Sequence, residues 1–541
     1  MAKKKQAPIK IEKRFGFEEF FLCLCSIISI YITYYATKYC IDSDASSELV
    51  LANHLAENGG ILTADWGYST ELRVLNTQLV YAPLFWIFDD WHMVRYFGAL
   101  ILQAILVGSY YVFTKATGIS KKIFCISAGL FLLPVSVCYG RIVLYNGYYI
   151  PHIAISLVIA GLVFAKNDGR SVRWIAIRTM ALLTLSFLGG LGGIRHGMMT
   201  HAPLLLAVFA YYVMDDLVCK RDAGEHSKKR LGYLLNAIGS AAFFFFGFLV
   251  NTGVLADKYE FSDYSENMVG LLDVGYLKNI SYGLMHHFGF RDEVKLISTL
   301  GILSILGVFL TIGCIIVAIV QLAKYKEHKD VKKALPSVMF LSYTAVMLLV
   351  FLVLGKYYYY VLYFTPVVAW FIPVFAQMLH ERPKDAKGLN MRRVLPVIAA
   401  LIIFANGAVN GAYFLDHTEF EQKYEGLVFT DREITQKLEP VVEFLVDNGF
   451  QRGYAEFWNG NIITEMSDGA VRIVNIHYYK DTGNSYFNPW LCLKTNRTLE
   501  GTKDFLLLQT DQQASFESKK GLSQVARVYA DENYVVYEIL K

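Results

Sequence analysis

The sequence predicts an all-α polytopic membrane protein of about eleven transmembrane helices, with a small extracytoplasmic α/β domain at its C-terminal end. Three observations predict it. Apolar runs of near-spanning length recur through the first 413 residues, and a helix needs ~20 residues to cross the hydrocarbon. The loops between those runs alternate between basic and poorly charged. After residue 413 the pattern changes to short β-like runs interleaved with helical ones, and the net side-chain charge there is about −7. Composition agrees: 55% of residues are hydrophobic and 18% charged, below the ~25% charged of soluble domains.

The apolar runs lie near residues 17–39, 91–114, 123–140, 148–165, 174–191, 202–214, 232–252, 295–323, 335–354, 358–379 and 394–413. The first is longer than the ~7–15-residue core of a signal peptide and has no small-residue cleavage site, so it reads as a retained helix. The loops TKATGISKK, KNDGRSVR, CKRDAGEHSKKR, KYKEHKDVKK and HERPKDAKGLNMRR share a side with the basic N-terminus. By the positive-inside rule that side is the cytoplasm of a plasma membrane. An odd number of spans then puts the tail 414–541 outside. Residues 77–88 are apolar but too short to cross, and read as an interfacial or re-entrant helix.

In the tail, Thr430 and Glu433 read as a capping box and Asn448-Gly449 as a helix stop. The eight cysteines form no CxxC pair and no even framework, so neither a zinc site nor a disulfide scaffold is implied. The run GGLGGIRHG lacks the Lys-Ser/Thr ending of a nucleotide-binding loop, and no nucleic-acid partner is expected.

The external loop 40–90 concentrates carboxylates where the first span ends. Asp44 can cap a helix beginning near Ala45, Glu48 falls one turn later on the same side, and Asp42 lies just before. ADWGYSTELR then supplies Trp66, Tyr68, Glu71 and Arg73, aromatic faces and carboxylates suited to a sugar. The plainer alternative is that Asp42 and Asp44 only cap helices.

A cytoplasmic N-terminus, one span and an acidic first external loop with amphipathic helices resemble the GT-C superfamily of integral membrane glycosyltransferases. GLGGIRHGMMTHAPLLLA and GYAEFWNGNIITEMSDG also resemble uncharacterised bacterial members. The resemblance implies a first-loop Asp or Glu acting beside a polyprenyl-phosphate-linked sugar. The product would be a glycosylated cell-envelope glycan, lipid or protein, formed with inversion on the outer face. The motif here is Asp-Ser-Asp rather than the Asp-Glu pair of protein mannosyltransferases, which leaves the matching carboxylate open. Asp44 is the expected base, with Asp42 second. Glu48, Trp66, Tyr68 and Glu71 are candidates for the acceptor or a metal.

Such a reaction also needs cations where a lipid phosphate departs. Arg195, His196 and His201 follow the glycine run Gly189–Gly193, and Lys356 lies at another outer boundary, so all four are candidate phosphate ligands. Helix packing by the glycines and snorkelling by Arg195 are the simpler readings. Mg²⁺ or Mn²⁺ is a candidate ion at the carboxylates. An O-antigen-ligase-like transferase would instead use the external cluster His286, His287 and Arg291. A transporter or flippase of lipid-linked sugars would place ionisable groups in mid-membrane, and the sequence shows none.

Overall fold

The computed structural model describes residues 16–70, 72–165, 167, 169–219, 225–261, 274–291, 294–328, 330–353, 364–381, 391–415, 427–518 and 524–540. The first span is α1 (Phe17–Tyr39), and after a three-residue corner α2 (Ser43–Asn58) begins. A short strand β1 (Gly67–Tyr68) and the seven-residue α3 (Gln78–Leu84), about two turns, complete the first loop. The expected interfacial segment at 77–88 is thus a helix of only seven residues.

Next come α4 (Trp91–Thr117), α5 (Lys121–Leu132), α6 (Val137–Arg141), α7 (Ile150–Val163), α8 (Val172–Gly192), α9 (Ala202–Cys219) and α10 (Glu225–Val250). Strand β2 (Glu260–Phe261) pairs in parallel with β1. The membrane part closes with α11 (Val274–His286), α12 (Thr299–Ala323), α13 (Tyr325–His328), α14 (Val331–Val353), α15 (Pro366–His380) and α16 (Met391–Leu415).

Among the described residues eight helices are long and apolar enough to cross a membrane, against the eleven expected. The other three runs are helical but altered. The run 123–140 breaks at Pro134 into α5 and α6, and with the widened turn Ile142–Asn146 it bends by 92°. Proline has no N–H to continue a helical ladder, so a break there is expected. The runs near 148–165 and 358–379 appear as the shorter apolar helices α7 and α15.

The tail forms α17 (Leu427–Asp447), β3 (Arg452–Glu456), α18 (Phe457–Met466), β4 (Arg472–Tyr479), β5 (Asn484–Phe487), β6 (Asp504–Gln509), α19 (Thr510–Glu517), β7 (Val525–Ala530) and β8 (Tyr534–Ile539). The sheet order is β5-β4-β3-β6-β8-β7, parallel across β4-β3-β6 and antiparallel elsewhere. The β-like runs RGYAEF, VRIVNIHYY, DFLLLQ, QVARVYA and NYVVYEIL form β3, β4, β6, β7 and β8, and β5 is an additional strand. The capping box is not: α17 is already helical at Leu427, so Thr430 and Glu433 lie inside it. The stop at Gly449 holds, with φ +69° in the left-handed region that glycine adopts without strain.

The core of the tail contains Leu438, Val441, Leu445, Ile463, Phe505 and Val536, and it reaches across to Ile41 at the start of the first loop. The tail therefore packs directly on the corner that leads into α2.

Candidate active site at the first loop

The site begins with the corner between α1 and α2. Asp42 is extended (φ −123°, ψ 159°), and its Oδ1 accepts from the Ala45 amide at 2.7 Å, so it is the N-cap of α2. This corrects the assignment of the cap to Asp44, which instead sits in the first turn. The other Asp42 oxygen accepts from Arg141 Nη2 at 2.7 Å and from Asn146 Nδ2 at 2.9 Å. Both donors come from the break in the third apolar run. The widened turn there rotates Asn146 inward, and Gly147 at φ +68° turns the chain into α7. Sequence reading saw Arg141 and Asn146 only as polar residues at a helix end, because their partner lies about 100 positions away.

Glu48, one turn along α2, is 1% exposed. It forms an ion pair with Arg73 and accepts from the Thr77 hydroxyl. Arg73 has φ +44°, unusual for a side-chain-bearing residue, and is held there by that pair and by the stacking of its guanidinium over Tyr148 at 5.4 Å.

Asp44 differs from both. It is half-buried, and no described residue donates a hydrogen bond to its carboxylate. Burial, and then the negative charge of Asp42, raise its pKa to about 7 against the opposing charges of Arg141 and Arg73. Burial also works to raise Asp42, but the Arg141 charge, the Ala45 amide and Asn146 outweigh it and hold that carboxyl below its ordinary value. Two adjacent carboxyls thus titrate apart, one fixed as an anion and one poised near neutrality.

Opposite lies an aromatic and cationic wall. Arg195 Nη1 donates to the Tyr148 hydroxyl at 2.7 Å, and its guanidinium lies 5.2 Å from the Tyr148 ring and 5.6 Å from Tyr149. Tyr148 is therefore shared between Arg73 and Arg195. His196 is buried and stacks on His152 at 4.7 Å. The Leu72 amide donates to the Gly192 carbonyl at 3.1 Å and fastens this wall to the first loop.

The structure brings Asp42, Asp44, Glu48, Arg195 and His196 into this region and separates other expected residues from it. His201 faces α10, 3.4 Å from the Ser240 hydroxyl and with its ring tilted against Phe244 at a centroid distance of 4.6 Å. Trp66 and Tyr68 are fully buried. Trp66 bridges to Leu493, and Tyr68 packs edge-on to Tyr259, so neither offers a face to a sugar. Glu71 and Lys356 lie outside the described residues. Within the glycine run, Gly190 serves packing. A Cβ on Gly190 would lie 2.0 Å from the Phe244 carbonyl oxygen, so this glycine lets α8 and α10 meet. The Mg²⁺ or Mn²⁺ expectation meets a poor donor set, because arginines engage Asp42 and Glu48. Among the described residues no three His, Cys, Asp or Glu side chains group as ligands.

The tail supplies residues that sequence reading missed. Glu465 of α18 forms a bidentate ion pair with Arg95 of α4, and all but a few percent of both side chains is buried. The Ser46 hydroxyl donates to the same carboxylate at 2.6 Å, and Arg95 Nη1 donates to the Tyr145 carbonyl at 3.3 Å. The Ser43 hydroxyl donates to the Phe457 carbonyl. Next to Phe457, Trp458 is 56% exposed and does not cover the domain core.

The Arg291 cluster is differently built. Arg291 donates to Gly289 O (3.1 Å), Asn406 Oδ1 (3.0 Å) and Asn410 Oδ1 (2.7 Å), a cage of neutral carbonyls that ties the loop to α16.

A helical bundle with an acidic first loop and a C-terminal α/β domain over it is a fold shared with solved structures of ArnT. One such structure is ArnT from Cupriavidus metallidurans. Bound to undecaprenyl phosphate it aligns at TM-score 0.54 and 10% identity, over 97% of this chain and 98% of that one. The apo form aligns at TM-score 0.55 and 10% identity, over 96% and 97%. The arabinofuranosyltransferase AftD from Mycobacteria aligns at TM-score 0.36 and 11% identity over 97% of this chain and 42% of its own, too loosely to support any argument. No protein-family model and no curated protein matches the chain.

Proposed function

We propose that the protein is a membrane glycosyltransferase that moves a sugar from a polyprenyl-phosphate donor to a hydroxyl of a cell-envelope acceptor, with inversion and with Asp44 as base. The observation that carries this reading is the half-buried Asp44 carboxyl, which accepts no hydrogen bond from a described residue and has a pKa raised to about 7, between two carboxylates already engaged by arginines. The acceptor oxygen attacks the anomeric carbon while Asp44 takes its proton. The bond from that carbon to the phosphate oxygen breaks, and the polyprenyl phosphate leaves with the electron pair. A base with a pKa near the working pH is half ionised and still basic enough to take a proton.

Arg195 steadies the departing phosphate, with its guanidinium oriented by the Tyr148 hydroxyl. The undecaprenyl phosphate bound by the similarly folded ArnT supports a donor of this class. Asp42 orients the loop, Glu48 holds Arg73, and neither takes a proton. Trp458 offers the acceptor an apolar face beside Ser43. The O-antigen-ligase reading is disfavoured by Arg291, three of whose five N–H donors go to backbone and asparagine carbonyls.

Asp44→Asn, assayed with polyprenyl-phosphate-linked sugars, is expected to lose ~10²–10⁴ in turnover, the usual contribution of a general base. Undecaprenyl phosphate should still bind to it. Parental turnover in Asp44→Asn would remove the assignment. Arg195→Ala should weaken donor use, and Arg195→Lys should restore it only in part because the planar fork is gone. The five basic loops support a cytoplasmic N-terminus and an external tail. In a cysteine-free background, Ser518→Cys should then label from outside intact cells and Lys121→Cys should not; the reverse pattern would invert the topology.

A further inference from the structure

The end of the bundle opposite Asp44 contains a cavity that the proposed reaction does not use. It lies between the C-terminal ends of α12 and α15 and the N-terminal ends of α14 and α16, and its volume is about 530 Å³. Small-molecule sites typically occupy ~300–1,000 Å³. Its apolar wall includes Ile316, Val320, Met378 and Leu395. Ile316, Val320 and Leu395 are 54%, 43% and 40% exposed, so the wall runs out onto the surface that faces lipid.

Among the described residues the rim carries two ammonium groups, Lys324 and Lys333, and two carboxylates, Glu327 and Glu381. Both lysines are half-buried, and among the described residues neither has an ion-pair partner. Glu381 accepts from Gln377 through Oε1 at 2.7 Å. Half-buried ammonium groups gain from an anion brought to them, and the two carboxylates gain from a cation that donates N–H bonds. The shape asks for an acyl chain, and the rim asks for both charges on one head group.

We propose that this cavity binds a zwitterionic glycerophospholipid of the phosphatidylethanolamine kind from the adjacent leaflet. Its phosphate meets Lys324 and Lys333, its ammonium meets Glu327 and Glu381, and a chain lies along Ile316, Val320 and Leu395. A purely anionic head group would set a second negative charge against the two glutamates. A choline head group keeps the charge but has no N–H to donate. A free phosphate would leave the apolar wall in water.

The proposal is independent of the glycosyltransferase reading and is tested without any sugar substrate. The purified full chain is mixed with equimolar phosphatidylethanolamine, phosphatidylglycerol and phosphatidylcholine of identical acyl chains, and retained adducts are read by native mass spectrometry. Phosphatidylethanolamine should be retained above both others. Glu327→Gln/Glu381→Gln should bring it down to the phosphatidylcholine level while phosphatidylglycerol rises. Lys324→Gln/Lys333→Gln should weaken both phosphatidylethanolamine and phosphatidylglycerol, by about 2–5-fold per charge, as partly exposed ion pairs allow. Val320→Trp fills the wall and should reduce all three. The melting temperature of each variant reports whether it has kept its fold. Equal retention of the three lipids, a preference for phosphatidylglycerol, or a parental adduct pattern in the folded rim variants overturns the proposal.

Discussion

Asp44 and Asp42 stand two residues apart on one helix start, yet their surroundings separate their titrations. Asp42 has taken the cap, the arginine and the asparagine, and its retained charge lifts its neighbour. With a base of pKa about 7, turnover should rise about tenfold per pH unit up to about pH 7 and then level off. A pH–rate profile at saturating donor checks this, and a flat profile between pH 5 and 7 would contradict it. Asp42→Asn removes the charge that raises Asp44 and leaves Arg141 in place, so the rising limb should move to lower pH. Stability carries the opposite sign from the familiar paired carboxylate. The folded pKa of Asp44 lies above its unfolded value near 3.8, so between about pH 4 and 7 the folded state holds the extra proton and loses stability as pH rises. Asp44→Asn should therefore melt higher than the parent at pH 8, with each pKa unit equivalent to about 1.4 kcal/mol, and match it at pH 4. Equal melting temperatures at both values would mean that Asp44 is not perturbed.

At the level of elements, the glycines of α8 show what a sequence signal does and does not specify. Gly190 and Gly247 each place the other helix's backbone where a side chain would go: a Cβ would meet the Phe244 oxygen at 2.0 Å and the Phe187 oxygen at 2.1 Å. Gly190→Ala should force α8 and α10 apart and cost ~1–3 kcal/mol, the usual effect of overpacking. Thermal unfolding in detergent reads it, and an unchanged midpoint would mean that the helices have room to spare. The glycine run was legible as a feature, but not its use, because close packing and phosphate contact both favour missing side chains. The spans were legible because apolar length is a local property. The break at Pro134 was visible only as a proline, and the contact from beyond it to Asp42 joins residues about 100 positions apart. Strands in the tail followed from alternation, whereas the start of α17 did not, since a Thr-x-x-Glu pattern is also acceptable inside a helix. Trp66 and Tyr68 misled for a related reason: aromatic residues suit a sugar and a core equally well, and burial is a property of the whole fold.

Across the whole molecule, the tail and the membrane bundle meet at Ile41, Ser43 and Trp66 and also at one buried ion pair, which bears on what the tail can be for. Glu465 binds Arg95 of α4 and receives the Ser46 hydroxyl of α2, while Arg95 also holds the Tyr145 carbonyl one residue before Asn146. The tail therefore reaches Asp44 along two routes: directly through Ser46, and through Arg95, Asn146 and Asp42. Breaking one side of a buried ion pair leaves the other charge unpaired and typically costs ~3–5 kcal/mol, whereas replacing both partners by apolar side chains is often close to neutral. Glu465→Gln alone should thus lower the melting temperature strongly, and the double variant Arg95→Met/Glu465→Leu should recover most of the loss. Turnover should not recover with it, because Ser46 has lost its acceptor and the Tyr145 carbonyl its donor, and α2 is free to shift under Asp44. The comparison separates mere attachment from positioning, since only positioning leaves a stable double variant with slow turnover and a displaced pH profile. If the double variant regains parental stability and parental turnover together, the ion pair is only a fastening between two parts, and the Asp44 loop keeps its geometry without it.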